Sequence, residues 1–329
     1  MKADLFVYKE NHLRNNFDLI RLLAALSVAM CHLLQINSKN SLFSAVSQTA
    51  VNVFFVVSGH LIYKSANRLG IGSYFRNRFR RIFPALVINL FIISFVFAPI
   101  VTIIRKENYV FHNAIVYFLK NLTLVPSWAI SIAPFPAGSP LGSGWNNPLW
   151  TLGFEFLAYV GILILVKLFA SYQNFSILIC SVFLGLINAF TNVGNLFNSG
   201  SRLGLMFVFG ALVGQFKYTK NGIALLLVVV AIVASFSLSV DDDIMIIAFV
   251  TAVLVISIAL LLPPIPTFLS GDYSYGIYIW HWPIFQVIYF CLHSELSIVL
   301  LQLVSLVATI IISIMSFHGV EKRWLVSRS

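Results

Sequence analysis

Of the 329 residues, 59% are hydrophobic and only 10% are charged, with a mean hydropathy of +0.92. This composition excludes a soluble globular domain and fits an all-α, polytopic integral membrane protein. The net charge of +10 does not point to nucleic acid, because the basic residues sit in short segments between apolar runs, where they set topology. Cys31, Cys180 and Cys291 lie inside apolar runs without metal-ligand spacing. They read as small buried hydrophobes, and no metal is expected.

The apolar runs predict about ten membrane helices, at 17–36, 44–65, 82–104, 149–169, 174–190, 202–216, 222–240, 244–262, 273–291 and 297–316. Because Asp18 and Arg21 interrupt the first run and many spans follow, it is expected as a span and not a cleavable leader. Segment 111–125 is apolar but holds Lys120 and ends before Pro126, which suits an interfacial or re-entrant helix. Of the 21 lysines and arginines, fifteen fall on the side of the N-terminus, five on the other side, and Arg21 within the membrane. That bias predicts an even number of spans with both termini in the cytoplasm. Residues 1–329 are expected to form one transmembrane domain with an external connection at about 105–148 and a tight external turn at Asp241–Asp243. The connection is rich in Pro, Gly, Ser and Trp, the composition of a lid or binding loop. Its Trp128 and Trp145, with Trp150 just beyond, suit either stacking on sugar faces or an interfacial aromatic belt.

Ionisable residues at membrane depth are costly and by default mark function. The first span carries Asp18 and Arg21 on one face, spaced to pair, and His32 about 22 Å along the axis from its cytoplasmic entry. Glu155 lies roughly two turns into the fourth span from the other side, so both groups fall in the outer half of a core about 30 Å thick. They are depth-matched candidates for a base and the carboxylate that orients it. His281, with Tyr273, Tyr275 and Tyr278 before it and Pro283 after it, is a second intramembrane histidine suited to positioning substrate. His60, next to Ser58–Gly59, suits packing or a cavity lining. Between the second and third spans, Arg76, Arg78, Arg80 and Arg81 crowd a basic loop before Pro84. Arginine forks match phosphate oxygens, which allows either a phosphorylated cytosolic ligand or anionic lipid headgroups.

The ordered set FDLIRLLAALSVAMCH, FFVVSGHLI, RFRRIFP, PLWTLGFEFLAY and YSYGIYIWHWPI resembles the membrane acyltransferase 3 family of bacterial sugar and polysaccharide O-acyltransferases. The resemblance covers essentially the whole chain and implies a ten-helix core. The family's arginine followed by ten residues and a histidine is matched by Arg21 and His32, and its Arg-x-x-Arg by Arg78 and Arg81. Glu155 matches the acidic position of its Trp-Ser-Leu-x-x-Glu stretch, with Thr151 in place of the serine. His60 stands where the family more often has an aromatic residue.

The resemblance implies transfer of an acyl group, most often acetyl, from cytosolic acetyl-CoA or another acyl-CoA to a carbohydrate hydroxyl across the bacterial inner membrane. The acceptor would be a surface polysaccharide, O-antigen, exopolysaccharide or lipid-linked precursor, with membrane lipids as the other contacts and no nucleic acid. His32 and Glu155 are then the expected catalytic pair, and Arg78, Arg81 and Arg21 the donor-binding residues. His281, Tyr275, Trp150 and Trp145 are the expected acceptor contacts. His32 has two routes open to it: activating the sugar hydroxyl as a base, or taking the acyl group itself. The competing reading is a glycolipid transporter using His32 and Glu155 as a proton relay.

Overall fold

The computed structural model describes residues 16–36, 40–125, 139–142, 144–190, 196–215, 243–261, 263, 265 and 271–326. Among them every regular element is a helix. In chain order these are α1 (Phe17–Leu34), α2 (Ser41–Arg68), α3 (Ile71–Ile92), α4 (Ala98–Ile104), α5 (Phe111–Leu122), α6 (Trp150–Leu168), α7 (Gln173–Phe190), α8 (Leu196–Gln215), α9 (Asp243–Leu261), α10 (Ser274–Leu292), α11 (Ile298–Ser316) and α12 (Lys322–Val326). Single π-helical turns at Ile93–Phe97 and Phe317–Glu321 join α3 to α4 and α11 to α12.

Among the described residues, six helical stretches are long and apolar enough to cross a bilayer: Phe17–Leu34, Ser41–Arg68, Ile71–Ile104, Asn147–Leu168, Leu196–Gly214 and Ile298–Leu325. Shorter apolar helices run over Phe175–Asn188 and Val250–Ala259. The protein is thus an all-α, multi-pass membrane protein. The described residues account for six of the ten expected spans by length and hydropathy together. The expected helix at 222–240, the turn at 241–243 apart from its last residue, and Trp128 lie outside the described residues. Helix α10 has the length to span, but its histidine, tryptophans, tyrosines and glutamine make it more polar than the six. It is buried without a break from Ser274 to Gln286.

One expectation is corrected. The arginine segment is not a loop before a helix that opens at Pro84. It forms the first turns of α3, and Pro84 lies inside that helix. Hydropathy marks only the part of a helix that lipid or core covers, so a polar extension of the same helix reads as a loop.

The described chain gathers into two compact units, one drawing on Met1–Ala24, Gln48–Ile71 and Leu157–Ser270, the other on Ala25–Ser47, Gly72–Phe156 and Gly271–Ser329. In the first unit α2 and α8 meet backbone to backbone. A methyl group on Gly59 would fall 1.9 Å from the Phe207 carbonyl oxygen, and one on Gly210 would fall 2.0 Å from that of Val56. Small residues permit such approach where lipid removes the hydrophobic drive for helix association. In the second unit α10 packs on α11 at Gly276, where an added methyl would stand 3.1 Å from the Ser313 side chain. The hydroxyls of Thr309 and Ser313 donate to the carbonyls of Ser305 and Thr309, four residues back, which disposes of polar groups on that buried face.

Candidate active site

Within the second unit, α10 supplies a histidine to a site and then repairs its own backbone. Pro283 has no N–H, so the Ile279 carbonyl four residues earlier loses its helical partner. Two buried amides take its place: Asn89 Nδ2 and Asn146 Nδ2 each donate to Ile279 O at 2.9 Å, and Asn146 also donates to Asn89 Oδ1 at 3.0 Å. The segment just before α6 is tied down on the same helix. Trp282 Nε1 donates to the Gly144 carbonyl at 2.9 Å. Gln286 Nε2 donates to the carbonyls of Gly144 and Gly142, and Ser139 Oγ donates to Gln286 Oε1. Leu141 then joins Leu33, Trp282 and Phe285 in one apolar cluster.

Between these supports the two intramembrane histidines meet. His32 Nδ1 and His281 Nε2 are 2.9 Å apart, with the rings 17° from parallel and their centroids 5.2 Å apart. The indole of Trp282 stands edge-on to His32 at 5.0 Å. The remaining nitrogens decide the proton positions. His281 Nδ1 faces the Ile277 carbonyl at 3.1 Å, and a carbonyl only accepts, so this nitrogen carries the proton. In the neutral ring Nε2 then holds the lone pair and accepts from His32 Nδ1–H. His32 Nε2 is left with its own lone pair, on which Ser47 Oγ–H donates at 3.2 Å. Burial favours neutral imidazoles throughout, since a buried charge without a counter-charge is far more expensive. His281 is fully buried, whereas His32 is only partly so. The chain Ile277–His281–His32–Ser47 thus presents a base whose free electron pair points at a hydroxyl.

A family model described as an acyltransferase domain matches residues 14–318. The chain belongs to the acyltransferase 3 family. It is therefore an enzyme that transfers acyl groups. It is similar to an O-acetyl transferase of Shigella phage Sf6, 29% identical over 97% of this chain and 98% of that protein. Nodulation protein 10 of Rhizobium leguminosarum bv. viciae is 28% identical over 51% of this chain and 48% of its own. Acyltransferase MdmB of Streptomyces mycarofaciens is 28% identical over 43% and 36%. No solved structure matches the chain significantly.

The family's acidic position, Glu155, lies on α6. The hydrogen bonds described at both His32 nitrogens go to His281 and Ser47. Glu155 instead stands within electrostatic reach of the Tyr278 hydroxyl. That hydroxyl is held by Thr151 Oγ1 at 2.6 Å and donates to the Pro148 carbonyl at 3.1 Å, and the Tyr278 ring lies 6.1 Å from that of His281. The Thr151 hydroxyl is thus shared between Tyr278 and the Pro148 carbonyl. Among the described residues no third His, Cys, Asp or Glu completes a metal-binding group with the histidine pair.

Other expected site residues are distributed more widely. Arg81 forms an ion pair with Asp272, whose other oxygen accepts from Ser274 Oγ, and its guanidinium lies 5.9 Å above the Tyr275 ring. Tyr275 donates to the Ile82 carbonyl at 2.8 Å. Arg78 sits three residues earlier on α3, within electrostatic reach of the Tyr74 hydroxyl. Arg21 belongs to the first unit. Trp145 is 1% exposed and packs as a core residue. Trp150 is half-buried, edge-on to Phe154 at 5.8 Å. Sequence reasoning missed Ser47, Asn89, Asn146 and Asp272. A hydroxyl or an amide carries no charge penalty, and Asp272 stands just outside the expected span 273–291, so nothing marks these residues until their partners are known.

Proposed function

We propose that the enzyme moves an acetyl group from acetyl-CoA, or a related acyl-CoA, to a hydroxyl of a carbohydrate acceptor, with His32 as general base. The observation that carries this reading is the lone pair of His32 Nε2, directed at a hydroxyl by the two imidazoles and the Ile277 carbonyl behind it. A base aimed in this way is the part that acyl transfer to an alcohol requires. The phage relative, named an O-acetyl transferase, supports acetyl as the group and oxygen as the acceptor.

The distribution of basic residues supports a multi-pass arrangement in the bacterial inner membrane with both termini cytoplasmic. The arginine-bearing turns of α3 then face the cytosol, where the phosphates of the donor would meet them. Arg81 shares its charge with Asp272, which orients its guanidinium for that contact. The acceptor is a surface polysaccharide or its lipid-linked precursor. Glu155, through Tyr278, tunes the field at His281 and adds negative potential when His32 gains a proton.

The test is His32→Gln, which keeps volume and hydrogen bonding but lacks a basic nitrogen. The variant is expected to insert at parental levels and to bind acetyl-CoA. Transfer should fall by about 10²–10⁴-fold or more. Substantial transfer by a well-folded His32→Gln protein removes the residue from the mechanism.

A further inference from the structure

We propose that Ser47 carries the acyl group covalently, as an acyl-serine ester formed from the donor and consumed by the acceptor. The inference rests on the acyl-transfer reading above and supplies the hydroxyl that His32 activates first. Ser47 Oγ stands 3.2 Å from His32 Nε2, while His32 Nδ1 is held by His281 at 2.9 Å. A hydroxyl on a base, with a third group orienting that base, is the geometric signature of an activated nucleophile. The tautomer is the required one, since the Ile277 carbonyl forces the lone pair onto the nitrogen that faces Ser47.

The placement of Ser47 differs from that of Thr309 and Ser313. Thr309 and Ser313 spend theirs on carbonyls of their own helix, which is the ordinary way to bury a hydroxyl in a span. Ser47 is seven residues into α2, beyond any capping position, and directs its oxygen at an imidazole on another helix. It is 6% exposed, shielded from bulk water that would hydrolyse an ester, while His32 beside it is only partly buried.

The chemistry closes without a co-reactant. His32 Nε2 takes the Ser47 proton as Oγ attacks the thioester carbonyl carbon. The C–O bond forms, the C–S bond breaks, and the proton on Nε2 passes to the leaving sulfur, giving free thiol and acyl-serine. In the second half His32 takes the proton of the acceptor hydroxyl, whose oxygen attacks the ester carbonyl. The bond from carbon to Ser47 Oγ breaks, and Oγ recovers the proton from His32. His281 keeps its proton throughout, and its Nε2 accepts from Nδ1–H of the transient His32 cation.

The test uses the purified full-length protein in detergent with isotopically labelled acetyl-CoA and no acceptor, acid-quenched and digested for peptide mass spectrometry. Label is expected on the peptide holding Ser47. Ser47→Ala should lose both label and transfer, by about 10²-fold or more, as when one member of a nucleophile–base unit is removed. Ser47→Cys should restore capture as a thioester that neutral hydroxylamine releases. Transfer by Ser47→Ala within a few-fold of the parent, alongside loss in His32→Gln, overturns the carrier and leaves the His32 reading standing. Label found on His32 in the parental protein overturns it as well, and that measurement holds even if Ser47→Ala fails to fold.

Discussion

His60 and His281 are both histidines with no exposed surface, each inside a long helix, and their surroundings differ in kind. His281 has both ring nitrogens in hydrogen bonds, one to the Ile277 carbonyl and one to His32. Both nitrogens of His60 lack a hydrogen-bond partner among the described residues, and its ring stands 5.1 Å from Phe17, one residue beyond the glycine contact of α2 with α8. Burial alone therefore does not distinguish a histidine wired by hydrogen bonds from one without them among the described residues. What distinguishes them is a fixed tautomer: a neutral imidazole is useful as a base only when something decides which nitrogen keeps the electron pair.

The largest effect is expected from cutting the wiring without emptying the space. His281→Phe keeps an aromatic ring but offers His32 Nδ1–H no acceptor, so either tautomer of His32 becomes accessible. Transfer is expected to fall by about 10²-fold or more, with a shift in the acid limb of the kcat/KM profile against pH. His281→Gln, whose Oε1 can accept the same proton, should recover part of the rate. A packing role predicts the reverse order, with phenylalanine tolerated better than glutamine and the pH profile unmoved.

Much of the scaffold was legible in the sequence, and most of the wiring was not. The predicted run 17–36 became Phe17–Leu34, 174–190 became Gln173–Phe190, and 297–316 became Ile298–Ser316, because an apolar run of membrane length has few other fates. Helix α3 escaped in part, since its first turns are held by polar contacts such as Arg81 with Asp272 that hydropathy does not register. His32 and His281 each stood out through the cost of an ionisable group in a span, yet 249 residues separate them and nothing local announces the pair. Depth matching offered Glu155 to His32 with equal force, because depth fixes one coordinate of three. Ser47 is one of several serines on α2, and only the imidazole opposite makes it different.

A moderate effect is expected at the support of the working histidine. Asn146→Ala leaves the Ile279 carbonyl with Asn89 alone and takes a donor from Asn89 Oδ1. Leaving a buried polar group short of a partner costs about 1–3 kcal/mol, read as a lower unfolding midpoint in detergent. Pro283→Ala restores the missing N–H four residues beyond Ile279, so the same asparagine change should cost less in that background. The two changes share one carbonyl, and a coupling of about 0.5 kcal/mol or more is expected from such neighbours. Strictly additive costs would mean that the asparagines hold the loop segment and do not repair the proline break.

The smallest effect belongs to the other histidine, and it completes the comparison from the quiet side. His60→Leu replaces a fully buried imidazole by an apolar side chain and removes two nitrogens with no hydrogen-bond partner among the described residues. Burying an unpaired polar group costs free energy in the parent, so its removal offsets the loss of contact with Phe17. The unfolding midpoint is expected to stay level or rise, and acetyl transfer to remain within about two-fold of the parent, the range of substitutions away from any special feature. The neighbouring helix contact gives an internal control. Gly59→Ala, whose new methyl would fall 1.9 Å from the Phe207 carbonyl oxygen, should lower the midpoint clearly in the same assay. If His60→Leu folds as well as the parent and loses transfer, then the tautomer argument fails as a criterion, because a histidine without described wiring would be doing chemistry.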